Sequence, residues 1–190
     1  MKPARRPARY DDILAAPEGK VAEIIDGELI VSPRPASPHA YAASIMGRDL
    51  SSAFHRPPGD ARGPGAWWLL DEPELHFYDD VIVPDQAGWR RERMPSVPKV
   101  AAFTLAPDWA CEIVSPSTER IDRSRKMRIY AREGIGHLWL VDPLLHTIEV
   151  YRLKDGEWVV GAVHGGDAPA RIEPFDAIEL DVPSWWIASD

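Results

Sequence analysis

The chain has 190 residues, 45% hydrophobic and 27% charged, which suits one ordinary folded domain and excludes a chain disordered throughout. Its 22 Lys+Arg against 30 Asp+Glu give a net charge of −8, which argues against a protein that coats nucleic acid through bulk charge but leaves local binding open. A single cysteine, Cys111, excludes an internal disulfide framework and a cysteine-rich zinc site.

Residues 1–9 carry four positive charges, two prolines and no acid, and read as a flexible basic arm ahead of a single domain over 10–190. No apolar segment follows the arm, so it does not read as a secretory signal. No run reaches the roughly 18 apolar residues of a membrane span. The expectation is a cytoplasmic protein with no membrane partner.

A short helix is predicted near Tyr10–Ala16. Two strands, Val21–Ile25 and Glu28–Val31, follow, joined at Asp26-Gly27, because Gly adopts positive φ without steric cost. Ser37-Pro38 reads as a hydroxyl cap and a first-turn proline. The helix it starts runs from about His39 to Phe54, with Tyr41, Ile45 and Leu50 on its apolar side. Short strands are predicted at Trp67–Leu70, Glu74–Tyr78 and Val81–Val83, and residues 86–107 read as irregular.

Asp108–Val114 is the best candidate for a buried strand. Ser115-Pro116-Ser117-Thr118 leads into a helix near Glu119–Glu133, ended by Gly134 and Gly136. Further strands are predicted at His137–Val141, Thr147–Leu153 and Glu157–Val163. Ile172–Trp186 is apolar but broken by Pro174 and Pro183, and stays unassigned. This order of elements predicts an α/β or α+β fold built on one central sheet.

Three carboxylates interrupt apolar runs: Glu23 in Val21–Ile25, Asp85 after Val81–Pro84, and Glu112 in Trp109–Val114. A buried carboxylate needs a cation, a proton or dense hydrogen bonding. Glu23 reads either as a solvent-facing strand position or as a functional group. Asp85 reads either as a turn residue or as a functional one. For Glu112 the apolar neighbours on both sides favour function.

At about 100° per residue, Asp122, Lys126 and Ile129 share one helical stripe beside Tyr130, and Arg125, Arg128 and Arg132 form another, taken as the solvent face. Lys126 thus points to the apolar side, either snorkelling past it, pairing with Asp122, or serving a site with the carboxylates. Two or three carboxylates can hold Mg²⁺ alongside phosphate, and a nearby ammonium can orient water or stabilise charge. His39 is a weaker candidate for contact with phosphate. Trp67, Trp68 and Trp89 are candidates for base stacking if exposed.

Charge is also uneven along the chain. Residues 86–99 sum to +3, residues 119–132 to +4 and the arm to +4, leaving −19 elsewhere. In sequence, the first two basic segments flank the candidate carboxylates.

The set Val83-Pro84-Asp85, Cys111 through Thr118, Asp122, Lys126, Tyr130 and Gly134 through Pro143, with the earlier Glu23 through Leu29 and Ser37-Pro38-His39, resembles the Uma-two family of restriction-endonuclease-like proteins. That family lies within the PD-(D/E)xK nuclease superfamily, and the resemblance spans about residues 10–186. It implies a mixed central β-sheet flanked by helices and a metal-dependent endonuclease that hydrolyses DNA phosphodiester bonds. Carried over position by position, Asp85 and Glu112 are metal ligands for Mg²⁺ or Mn²⁺, Lys126 is the catalytic lysine, and Glu23 is an accessory carboxylate. The superfamily's usual lysine position is Val114 here, so Lys126 stands in as substitute. That departure keeps open a non-catalytic module of the same fold that binds protein or nucleic acid. A homodimer is expected only by analogy with enzymes that cut two strands.

Overall fold

The computed structural model describes residues 6–188. Of the arm expected over residues 1–9, residues 1–5 lie outside the described residues. Residues 6–9 are tied down: the Ala8 N–H donates to the Gly27 carbonyl at 2.8 Å, and Arg6 pairs with Asp12 at 2.7 Å.

A one-turn helix, α1 (Tyr10–Leu14), precedes the hairpin of β1 (Val21–Ile25) and β2 (Glu28–Ser32). Asp26 and Gly27 both take positive φ, 53° and 73°, the turn that matches strand twist. The same device, Asp155-Gly156 at 52° and 81°, joins β9 (Thr147–Lys154) to β10 (Glu157–Gly165).

The long helix α2 (Ser37–Phe54) begins differently from the expectation. Ala36 is its N-cap, so Ser37 and Pro38 occupy the first two helical positions and no hydroxyl caps the helix. Its buried side is Ala42, Met46, Leu50, Ala53 and Phe54, whereas Tyr41 is exposed. These buried positions recur at helical spacing and face a sheet; Tyr41 lies outside that stripe.

The strands form two sheets rather than one. β1 and β2 join β4 (Leu75–Phe77) and β5 (Asp80–Ile82) in an antiparallel sheet of order β2-β1-β5-β4. The larger sheet has the order β10-β9-β8-β7-β6-β3, built from β3 (Trp67–Asp71), β6 (Gln86–Arg90), β7 (Trp109–Ile113), β8 (His137–Asp142), β9 and β10. Among the strands of the described residues only β7 and β8 pair in parallel, and the helical segment between them supplies the crossover that parallel pairing needs. The fold is therefore a mixed α/β architecture whose central six-stranded sheet is covered by helices and, on one face, by the smaller sheet.

β6 corrects the irregular reading of residues 86–107. Its sequence, Gln-Ala-Gly-Trp-Arg, shows neither clean alternation nor β-branched residues, so propensity alone gives no strand. Tertiary packing makes it one: β6 hydrogen-bonds to β3 on one side and β7 on the other. A Cβ at Gly88 would stand 2.8 Å from the Leu69 side chain and 3.2 Å from that of Trp109, so a larger residue there makes its neighbours shift.

β7 is buried on both faces. Trp109, Cys111 and Ile113 point into a core shared with α2, Trp139 and the C-terminal segment, while Ala110 and Val114 point into the core beneath the smaller sheet. The unassigned segment from Ile172 onward lies against the first core through Ile172, Phe175, Leu180 and Trp185, and ends in a 3₁₀ turn, Val182–Trp185. Trp67 and Trp89 are buried in these cores and have no face for a base, and Trp68 is half-buried. No helix among the described residues is long and apolar enough to cross a membrane.

Candidate active site

Glu112 alternates to the side of Ala110 and Val114, so a carboxylate enters an apolar layer. The register of β6 with β7 pairs Gln86 with Cys111. Continued by one residue, it sets Asp85 opposite Glu112, where side chains share a face. The Asp85 carboxylate is anchored there by the Ile113 N–H at 2.7 Å and by His39 Nε2 at 3.1 Å. From the other sheet, β1 brings Glu23, whose Oε1 accepts the Val83 N–H at 2.8 Å.

The helix after β7 delivers the cation. It is α-helical over α3 (Glu119–Ile121) and α4 (Met127–Arg132), with a π turn at Asp122–Lys126 between them. There the Met127 N–H returns to the Asp122 carbonyl, five residues back. Widened turns of this kind are frequent at functional sites. Gly134, at φ 74°, then stops the helix, with the Ile135 N–H donating to the Tyr130 carbonyl. Asp122, Lys126, Ile129 and Tyr130 are all buried.

Lys126 Nζ, 3% exposed, lies 2.8 Å from Glu112, 3.1 Å from Glu23 and 3.7 Å from Asp122. The Tyr130 hydroxyl donates to the other side of the same cluster, at Glu112 Oε1. Glu23, Asp85, Glu112 and Lys126, the four expected site residues, therefore line one cavity of about 290 Å³, together with His39 and Asp122. Val114, at the superfamily's usual lysine position, is buried in the core.

The electrostatics follow from four carboxylates facing one ammonium. Burial pushes the Glu112 carboxyl well above its usual range, opposed by Lys126 and reinforced by Asp122, Asp85 and Glu23. Burial also raises Asp122. For Lys126 burial favours the neutral amine, yet Glu112 and Glu23 outweigh it and hold the proton well above the ordinary lysine value. Burial disfavours the charged His39 as well, and Asp85 more than compensates, so its pKa rises. Burial and then Glu112 raise the Tyr130 phenol far above its normal value, so the hydroxyl stays a donor. Cys111 sits on the opposite face of β7 with its thiol pushed up by burial, an inert core residue.

The unbalanced negative charge is the observation against which a metal can be tested. All candidate donors are carboxylate oxygens, the ligand type of Mg²⁺ and Mn²⁺. Among the described residues no three acidic, His or Cys side chains are already gathered as a metal cage. Mg²⁺ does not need one, since it binds through one or two carboxylates plus water and substrate phosphate. The residues fit the ion.

Three contributors were under-read in the sequence. His39, a weaker candidate in the sequence, grips Asp85, and its Nδ1 is buried without a partner among the described residues. Tyr130 was visible as a neighbour of the stripe and within the resemblance, but with no role assigned to it. The solvent face of Arg125, Arg128 and Arg132, with Arg128 and Arg132 exposed, also makes an ion-pair clamp on the smaller sheet: Arg125 and Arg128 both hold Asp26, at 2.9 and 2.7 Å, and Arg132 holds Asp80 at 3.0 Å. The other basic segment does not adjoin the site. Arg90 ends β6 at the opposite end from Asp85.

The sequence profile of the Uma2 family, described as "Putative restriction endonuclease", matches residues 7–183. A similar solved structure is that of "a putative nuclease belonging to DUF820" from Anabaena variabilis ATCC 29413. It is 26% identical, superposes with a TM-score of 0.73, and the match covers 94% of this chain and 99% of that one. No curated protein matches the chain.

Proposed function

Since the chain belongs to the Uma2 family, we propose that it is a divalent-metal-dependent endonuclease that hydrolyses DNA phosphodiester bonds at the cavity between β7 and the smaller sheet. One observation carries this reading: Lys126 reaches Glu112 and Glu23 from a helix, at a cavity that Asp85 also lines. Lys126 replaces in space the lysine that Val114 removes from the strand.

Asp85 and Glu112 would hold Mg²⁺ or Mn²⁺, which when bound polarises the phosphoryl oxygens and lowers the pKa of water. The protein's own groups do the rest. Lys126 keeps its proton and supplies a fixed positive charge for the anion that develops on phosphate. Glu23, on the far side of Lys126, shares that ammonium and fixes its direction. Tyr130 holds Glu112 in place, and His39 does the same for Asp85. The apolar layer around Glu112 limits competing water and strengthens each of these interactions.

A non-catalytic binding module of the same fold is the second reading, favoured by one detail: both Glu112 oxygens are engaged, by Lys126 and Tyr130. Incubating the purified chain with plasmid and linear DNA in Mg²⁺, Mn²⁺ or EDTA separates the two. Cleavage that requires the ion and falls by about 10²–10³-fold or more in Glu112→Gln and Asp85→Asn supports the enzyme. Cleavage unchanged in both variants, or binding without metal-dependent cleavage, overturns it.

A further inference from the structure

Two loops meet at the mouth of the cavity, and each brings one charged side chain. Arg34 comes from the link between β2 and α2, and Glu72 from the bend after β3. Their nearest atoms stand 3.7 Å apart, and the side chains are 60% and 49% exposed. Arginines paired elsewhere sit closer: Arg62 meets Asp60 at 2.7 Å, and Arg123 meets Glu149 at 2.6 Å. At 3.7 Å Glu72 neutralises Arg34 without taking its N–H groups in a hydrogen bond. The backbone beneath Arg34 is stiff. Pro33 and Pro35 flank it, and proline fixes its own φ and holds the residue before it extended. Ala36 then caps α2, whose third residue, His39, grips Asp85.

Glu72 is tied to the same place. Its φ is 45°, in the left-handed region that a residue with a side chain adopts only at a cost. Its N–H donates to the Asp85 carbonyl at 3.0 Å, so both partners of the pair are anchored beside Asp85. Charge around the cavity is lopsided. Glu23, Glu72, Asp85, Glu112 and Asp122 line it, against Lys126, His39 and Arg34. Lys126 is enclosed by Glu112, Glu23 and Asp122, and His39 is held on Asp85. Their side chains are 3% and 12% exposed, so an anion arriving from water meets Arg34 first.

We propose that Arg34 receives a phosphate of the DNA substrate at the mouth of the cavity, and that Glu72 is its resting partner, given up when the phosphate arrives. The proposal rests on the nuclease reading above and adds which residue brings the anion in. A guanidinium bonds two phosphate oxygens through parallel N–H groups, a geometry that Glu72 at 3.7 Å leaves unused. The exchange costs little, because an exposed ion pair contributes only weakly. Glu72 and the other carboxylates of the lining repel phosphate, and Arg34 offsets that repulsion at the point of entry. The contact positions the substrate without reading its sequence.

The test follows anisotropy of a labelled DNA duplex with the full chain in Ca²⁺ across a salt series, beside KM and kcat for cleavage in Mg²⁺. Arg34→Gln should weaken binding by about tenfold and lower the salt slope by about one, raising KM more than it lowers kcat. Arg34→Lys keeps the charge without the fork, so it should keep the slope and recover part of the affinity. Glu72→Gln should act in the opposite direction and tighten binding by about two- to fivefold, because it removes the competitor for Arg34. Adding Arg34→Gln to Glu72→Gln should abolish that gain; a gain that persists comes from net charge alone and overturns the part given to Glu72. All these variants should melt as wild type does, since both side chains reach solvent. A merely structural bridge between the two loops would instead make both single variants melt lower and bind more weakly, which overturns the proposal. Equal affinity and slope in wild type and Arg34→Gln, or a wild type that binds no duplex, overturn it too. Arg34-dependent binding with no cleavage in Mg²⁺ or Mn²⁺ keeps the phosphate contact and removes the nuclease reading instead.

Discussion

Lys126 and Arg125 are neighbours in sequence, and their surroundings are opposite. Lys126 is buried beneath the helix with three carboxylates within 3.7 Å, and its nearest partner, Glu112, is equally withdrawn from water. Arg125 lies on the outer side, half-buried, and shares Asp26 and Glu28 with solvent. The clamp contains charges that nearly balance and that water screens, so each pair contributes little. The cluster contains more negative charge than positive and is buried, so each group is expensive unless its partner is present. The clamp holds the helix to the smaller sheet, and the cluster gives that position a chemical purpose.

The largest expected effect comes from removing the one buried cation. Lys126→Met leaves Glu112, Glu23 and Asp122 buried together with nothing to oppose them, at a cost of about 3–5 kcal/mol. For a chain of this length that lowers Tm by roughly 6–20 °C, readable by calorimetry or circular dichroism. Adding Glu112→Gln to Lys126→Met should recover part of the loss, because it removes the stranded charge. Equal stability of Lys126→Met and wild type would mean that the cluster is not electrostatically coupled as its geometry requires.

Tyr130→Phe comes next. The ring still fills its place, but buried Glu112 loses its hydroxyl donor, which costs about 1–3 kcal/mol. Metal-dependent cleavage should fall while duplex affinity stays, a split between kcat and KM that separates a positioning role from a binding one. A variant with full kcat and lower Tm would confine Tyr130 to packing.

How much of this was legible beforehand depends on what each residue's neighbours reveal. Asp26-Gly27 carries its own turn, so the first hairpin was readable from two residues. The 3.6-residue period placed Lys126 and Asp122 together on the inward side, and Glu112 stood out as an acid in an apolar strand. β6 was not readable, because a glycine pressed closely by neighbouring side chains and two flanking strands make it, and neither is a local property. The division into two sheets was equally hidden, since strand order depends on long-range pairing. The arginine stripe was legible as a shared solvent face but its ion pairs were not, because Asp26, Glu28 and Asp80 reach it from strands far away in sequence. His39 stood only as a weaker candidate for the same reason: its partner Asp85 is 46 positions later.

On the clamp side the effects shrink. Arg128→Ala removes one exposed partner of Asp26 while Arg125 keeps the other, so the loss should be about 0.2–1 kcal/mol and should fade in 1 M salt. A larger loss, or one insensitive to salt, would make the clamp resemble the cluster.

The pH dependence sharpens the contrast most finely, because the two regions respond with opposite sign. At Asp26, burial disfavours the carboxylate but Arg125 and Arg128 outweigh it, and its pKa in the fold is lowered. Its contribution is present above the ordinary carboxylate value of 3.8 and is lost as pH falls through the lowered one. At Asp122, burial leaves the folded pKa raised. There the folded state binds the proton more readily than the unfolded chain, so ionisation destabilises the fold as pH rises from the ordinary value through the raised one. In metal-free buffer, Asp122→Asn should therefore melt above wild type at pH 7, with the difference closing toward pH 4. Asp26→Asn should melt below wild type at pH 7, and its deficit should close only at more acid pH. Melting curves of the three proteins between pH 3 and pH 7 give both differences. If Asp122→Asn melts below wild type at pH 7, the Lys126–Asp122 pair outweighs the burial of that carboxylate, and the cluster is held together more like the clamp than its excess of negative charge implies.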